Sequence, residues 1–398
     1  MSTDGTDRDT TRLGLPGDLL PWMVGRRRHL HAEPEVGIHL PDTHAFLEAE
    51  LTALGFAPEV HPAAGLTVRV AGNGGTGSIR VLRADMDALP LVEATGLPFS
   101  SRREGAMHAC GHDLHMAILL GVARLLANDP PVHDVVLVFQ PGEESDRGAL
   151  RTLEHANLQL TGDTTAFALH VNAIAPAHSV HHRAGTFMAS GDWFTATFHG
   201  RGGHASAPHL TGNPIDASAH FISQLHHLTD ALTASEYVVA TVTETLAGNS
   251  VNVIPTHGSL RGTIRTVSAG ARTQLIEGMH EIVERASADA RVEGELRITE
   301  GYPAVVADPA YLERLLTSIE RSCLGQNLRE MDVPSMVIED FAYFLRRWPG
   351  AMVYLGAQVP GATAFNHSAE VVFDEEVLAT GVQLHLLAAA LDGSGSPT

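Results

Sequence analysis

A chain of 398 residues, 44% hydrophobic and of near-zero mean hydropathy, has the size for two or three domains and a sizeable core, and no apolar stretch approaches the roughly 20 residues of a membrane span. A formal charge of −20, from 26 Lys and Arg against 46 Asp and Glu, argues against nucleic acid as a partner, because phosphate binding relies on clustered cations. Two cysteines and a polar, acidic start unlike a signal peptide lead us to expect a cytoplasmic protein with no intrachain disulfide.

In chain order, residues 1–11 and 392–398 are polar and lack an apolar period, so both are expected to be flexible ends. Arg26-Arg27-Arg28 lies in a helix-like segment and reads as a solvated face. Gly72-Asn73-Gly74-Gly75-Thr76-Gly77 reads as a turn, since a strand and no helix follows it. That strand, 79–82, leads into Arg83-Ala84-Asp85-Met86-Asp87. Cys110 and His112 then stand before Leu114, Ile118, Gly121, Val122, Leu125 and Leu126, whose spacing predicts a helix with one apolar face. Asp113 is its expected N-cap. The β-branched run 135–139 predicts a buried strand feeding Glu143-Glu144, and 164–169 a second one delivering His170.

Beyond His170 the pattern changes. Strand-like alternation at 192–199, a helical period at 213–232, strands at 237–245 and 259–267, a helix at 272–288 and a strand at 291–299 give the order βαββαβ, a ferredoxin-like arrangement. A further apolar run, 352–355, precedes Asn366-His367 at loop distance. Cys323 is expected to be a buried small residue, and His31, His39, His178, His181, His226 and His227 are expected on the surface or in loops.

Taken singly, a cysteine, a histidine or a glutamate pair has an ordinary structural role. Here ligand-type residues recur at the carboxyl ends of strands, where open α/β sheets place their sites. Thiolate and imidazole at Cys110-x-His112 suit zinc. Water on a metal has its pKa lowered toward about 7, which makes a strong nucleophile available at neutral pH. Of the neighbouring carboxylates Glu143 and Glu144, one can ligate while the other takes the proton, and the residues alone leave open which does which.

Six runs carry a resemblance: Arg83 to Pro90 (RADMDALP), Met107 to Asp113 (MHACGHD), Phe139 to Glu144 (FQPGEE), Gly203 to His209 (GHASAPH), Val251 to Pro255 (VNVIP) and Glu339-Asp340-Phe341. Together they resemble the amidohydrolase branch of the aminoacylase and carboxypeptidase metallopeptidase family, which includes hippurate hydrolases, N-acyl amino acid amidohydrolases and indole-acetyl amino acid hydrolases. The resemblance runs from about Arg27 to His367. It implies Cys110, His112, Glu144, His170 and His367 as ligands of two divalent ions, with Cys110 bridging and Glu143 as general base. Zinc is favoured, with manganese, cobalt or nickel as alternatives. The His-x-Asp motif of the wider superfamily stands here as Arg83-Ala84-Asp85, and Asp85 is expected to support the site rather than bind metal. His204 would polarise the scissile carbonyl; Asn252 and Arg265 would hold the substrate's carboxylate.

The resemblance thus implies an α/β fold: a zinc-peptidase-like catalytic domain with a central mixed sheet (12–186 and 303–391) and an inserted ferredoxin-like lid and dimerisation domain (187–302). The expected activity is hydrolysis of N-acyl amino acids by a homodimer, with no nucleic acid or membrane partner. A dipeptidase or aminopeptidase would need an acidic group for the substrate's ammonium, and no such motif stands out. A catalytically silent binding protein would have no need of Glu143 beside Glu144.

Overall fold

Continuous apolar runs and strict alternation separate into two compact units in the computed structural model, which describes residues 14–144, 147–233 and 236–392. The expected flexible ends lie outside the described residues, apart from Asp392. The first unit begins with helices α1 (Leu19–Ala32) and α2 (Pro41–Ala53), strands β1 (Glu59–His61), β2 (Gly65–Val70) and β3 (Ile79–Asp85), and helix α3 (His112–Asn128). It continues through β4 (Asp134–Gln140), α4 (Gly148–His155), β5 (Thr164–Asn172) and β6 (Val180–His182). The second unit supplies β7 (Ser190–His199), β8 (Gly203–His204), α5 (Pro214–Thr233), β9 (Val238–Ala247), β10 (Val253–Ile254), β11 (His257–Thr266), α6 (Ala269–Ala290) and β12 (Glu293–Tyr302). The chain then returns to the first unit with α7 (Pro309–Glu320), β13 (Leu328–Glu330), α8 (Ala342–Arg347), β14 (Gly350–Gly356) and α9 (Val377–Ala389).

The first unit is built on a mixed eight-stranded sheet in the order β1-β2-β4-β3-β5-β14-β6-β13. Its centre, β4-β3-β5-β14, is parallel and almost wholly buried, which is why these strands read as unbroken apolar runs rather than alternations. Two strands outrun the sequence expectation. Strand β3 continues to Asp85 because Arg83 and Asp85 are buried in it and pair with each other, Nη1 to Oδ2 at 2.6 Å. Strand β5 continues to Asn172, so His170 lies within the strand rather than after it.

Helix α3 corrects two expectations. It is buried on nearly every side from His112 to Ala123 rather than along one face, because it runs between α1 and α9. A Cβ on Gly121 would meet Met23 Sδ of α1 at 2.4 Å and Val382 Cγ2 of α9 at 2.9 Å. Its N-cap is Gly111, not Asp113. Gly111 takes φ +91°, and a Cβ there would lie 2.3 Å from Val171 Cγ2, so glycine is required. Asp113 sits in the helix's first turn, fully buried, where its Oδ2 meets Arg27 Nε and His31 Nδ1, both at 2.8 Å.

That pairing also corrects the solvated reading of Arg26-Arg27-Arg28 at Arg27, while Arg28 is exposed as expected and Arg26 half-buried. Arg27 is 1% exposed and holds Asp113 and Glu375, while Arg28 and Arg26 pair with Glu375 and Glu50. His31 is likewise buried, not superficial. Among the other histidines expected outside, His39, His226 and His227 are exposed, whereas His178 and His181 are half-buried; Cys323 too is only half-buried.

In the second unit β7, β9, β11 and β12 form an antiparallel sheet in the order β9-β11-β7-β12, the split βαββαβ arrangement. Strands such as β11 alternate between exposed and buried residues. Phe194, Phe198, Leu260 and Ile264 pack with Phe221 and Leu225 of α5 and Leu275 and Met279 of α6, leaving the other sheet face free of helices. The short segment Val333–Glu339 also belongs here, because Ala189 N donates to Ser335 O (2.8 Å) and Ser335 N to Phe187 O (2.9 Å).

Candidate metal centre

Four segments of the first unit converge at the carboxyl ends of β3, β4 and β5: the Cys110-Gly111-His112 entry to α3, the Gly142-Glu143-Glu144 turn after β4, His170 on β5, and the His367 loop after β14. Cys110 Sγ lies 3.3 Å from His170 Nε2 and 3.1 Å from His367 Nε2. Glu144 Oε1 is 3.4 Å from His367 Nε2 and 3.9 Å from His112 Nε2. Among the described residues five groups of three could hold a metal, and two of them, Cys110-His112-His170 and Cys110-Glu144-His367, have Cys110 in common.

The protonation states suit cations. His112 donates from Nδ1 to Asp87 O (2.7 Å) and His170 from Nδ1 to Val171 O (2.8 Å), which leaves both Nε2 lone pairs turned toward the cluster. Burial lowers both imidazoles, His170 to about 3 with His115 adding to the effect, so the rings are neutral. Burial pushes the Glu144 carboxyl up, but the hydrogen bond from His367 and the charge of that ring outweigh it and hold the group below its ordinary value. Burial, reinforced by Glu144, Glu143 and Asp85, drives the Cys110 thiol well up. Its thiolate is therefore a form that a bound cation has to stabilise. Among the described residues, His112 Nε2 is buried without a hydrogen-bond partner. Buried polar atoms are normally paired, so this donor set fits metal.

Glu143 is 6% exposed and adjoins His112 and Glu144. The turn that bears both glutamates is held by Asp87, whose two carboxylate oxygens accept Glu143 N (3.0 Å) and Glu144 N (3.1 Å). Asp85 is fully buried, 3.6 Å from His112 Nε2. Its oxygens are taken by Arg83 and by His115 Nδ1 (2.6 Å each). Since His115 Nε2 accepts Val171 N at 2.9 Å, the ring ties Asp85 to the strand end that carries His170. Arg83 also meets Asp340, which accepts from Gln140 Nε2 and from Ala149 N at 2.8 Å in the first turn of α4. Asn366 donates to Cys110 O and Val171 O (3.1 and 3.0 Å), fixing the loop on which His367 adopts φ +71°.

Sequence reasoning missed Asp87, His115, Asp340 and Asn366. His115 alone had a usable signal, standing three residues after His112 on the same helix. The other predicted site residues lie in the second unit. His204 on β8 is exposed and its Nδ1 accepts from Ser206 N (3.1 Å) and contacts Ser206 Oγ (2.8 Å). Asn252 is brought near it, its carbonyl accepting Ala205 N at 3.1 Å. Arg265 is half-buried in β11, where burial lowers it and Asp192 opposes the shift; it fills space that any side chain at Gly191 would take, a Cβ there lying 2.6 Å from its Nη1.

An α/β sheet with thiolate, imidazole and carboxylate donors at its strand ends defines a metal-dependent hydrolase of amide bonds. The chain belongs to peptidase family M20/M25/M40, whose sequence profile matches residues 81–390. It is similar to the N-acetyldiaminopimelate deacetylase of Bacillus subtilis, 32% identical over 91% of this chain and 96% of that one. It is 36% identical, over 91% of its length, to a Rhodococcus jostii protein named as a glutamate–cysteine ligase, but spans only 45% of that longer chain. Among solved structures, the Bacillus subtilis YXEP protein, described as a dinuclear metal binding peptidase from the M20 family, superposes with a TM-score of 0.81 at 28% identity, covering 94% of this chain and 98% of that one.

Proposed function

We propose that this protein hydrolyses the amide bond of N-acyl amino acids, releasing a carboxylic acid and a free amino acid. The observation that carries the reading is the pair of triads sharing Cys110, with Glu143 beside them; the similarity to an N-acetyl amino acid deacetylase supports the substrate class. Cys110, His112 and His170 would hold one divalent ion, and Cys110, Glu144 and His367 a second. Two such ions supply Lewis acidity toward the amide carbonyl and lower the pKa of water to about 7. Glu143 takes the proton of the attacking water and returns it to the leaving nitrogen. Asp87 keeps the Glu143 and Glu144 backbone fixed while this proton moves. Zinc is the metal the thiolate favours, with manganese, cobalt or nickel next.

The remaining roles rest on the resemblance. His204 polarises the carbonyl, Asn252 and Arg265 hold the substrate carboxylate, Asp85 braces the site, and residues 187–302 serve as lid and dimer contact in a cytoplasmic homodimer that works on a small molecule. The test is a release assay over N-acetyl, N-benzoyl, N-succinyl and long-chain acyl amino acids, beside free dipeptides, with metal analysis of the same sample. Turnover of acyl amino acids with two ions per chain is expected. Cleavage of dipeptides alone would favour the peptidase reading.

A further inference from the structure

Histidines 199 and 257 meet on the second unit's sheet, far along the chain from any residue assigned above to metal. His199 ends β7 and His257 begins β11, where they are direct cross-strand partners. Glu293, the first residue of β12, pairs with His199 from the other side. Residues opposite one another in antiparallel strands project from the same face, so His257, His199 and Glu293 form one row. All three are exposed, whereas Phe198, the neighbour of His199, is fully buried toward α5 and α6. The row therefore lies on the face free of helices. The two imidazoles have centroids 4.8 Å apart at 49°, and their Nδ1 atoms are 3.5 Å apart. Two nitrogens each about 2.05 Å from one tetrahedral ion lie about 3.3 Å from each other, so an ion can take the place of the hydrogen bond that now joins the two Nδ1 atoms once the rings turn their lone pairs toward it.

We propose that His199 and His257 form a further binding site for a borderline divalent ion such as zinc or nickel, with water completing the shell. Neutral imidazoles side by side are the donors such ions prefer. The position gives the ion a structural consequence. The chain leaves the sheet at His199 for β8, and β10 leads back into it at His257; Gly200 N donates to Thr256 O at 2.9 Å between these roots, and β8 pairs with β10 through His204 and Val253. An ion shared by His199 and His257 staples the two roots of the ladder that carries His204.

The test uses the purified enzyme with its resident ions in place. Zinc or nickel titrated by calorimetry should load one more equivalent per chain. The variant His199→Gln with His257→Gln should lose that equivalent while its resident ions stay, and each single variant should weaken it several-fold. Hydrogen exchange at the amides of Gly203, His204, Val253 and Ile254 should slow on loading in the native enzyme only. No further equivalent, a further equivalent that survives in the double variant, or unchanged exchange on loading overturns the proposal.

Discussion

Glu143 and Glu144 are sequence neighbours whose amides are both fixed by one buried side chain, Asp87, and the proposed function gives them separate tasks. Glu143→Gln keeps size and hydrogen bonding but cannot accept a proton, so metal content should persist while kcat falls about 10²-fold or more. Glu144→Gln should instead lower metal content, and the opposite pattern in paired kinetic and metal assays would exchange the two roles. Cys110→Ala removes the vertex common to both triads and should lower metal content and rate together; a variant with two ions and near-normal turnover would refute the bridge. At this scale the site was partly legible. Ligand types at strand ends announce themselves because chemistry restricts them to a few residues. Asp87 and Asp340 did not, since a carboxylate that holds backbone amides looks in sequence like any acidic loop residue.

At the scale of elements, α3 is fixed to α1 by charge as well as packing. Asp113 of α3 meets Arg27 and His31 of α1, and His31 Nε2 reaches Glu93 at 3.3 Å. Burial pushes Glu93 up, yet hydrogen bonds from His31, Ser101 N and Thr95 prevail and lower it from 4.5 to about 2. A carboxyl depressed in the folded state adds stability that is complete above its ordinary value and vanishes as pH falls through the folded one. Acid unfolding should therefore steepen between about pH 4.5 and 2, and Glu93→Gln should flatten the slope in that window when denaturation midpoints are followed against pH. An unchanged slope would remove Glu93 from the acid response. The sequence period located α3 but missed its surroundings, because three helices packed together bury a helix all round while its residues still repeat at three and four. The alternating strands of the second unit were easier to read, since only one face of that sheet is covered.

For the whole molecule, the proposed dimer bears on whether each active site draws on one chain or two. Glu143→Ala and His204→Ala are each expected to be nearly inactive. If His204 acts across the two-fold axis, a mixed dimer has one site with both lesions and one with neither, so random mixing, which makes about half the dimers mixed, should restore roughly a quarter of native activity. Activity that stays at the level of the separate variants, with subunit exchange confirmed, would place His204 in its own chain. At this scale the insertion of one βαββαβ unit was legible from its change of period. The excursion of Val333–Glu339 to that unit was not, because a few backbone hydrogen bonds to Phe187 and Ala189 leave no pattern in side chains.

The two triads differ in how far they are shut in. Cys110, His112 and His170 are each 9% exposed or less, whereas the His367 side chain is 52% exposed on a left-handed loop residue. If each triad holds an ion as proposed, a ligand that can swing into solvent gives its ion an exit, and the enclosed ion would have none without opening the core. The pair should therefore leave on separate clocks. Mixing the loaded enzyme with excess chelator should release metal in two phases, the fast one accelerated by His367→Ala and the slow one untouched by it, and a partly stripped enzyme should accumulate in between.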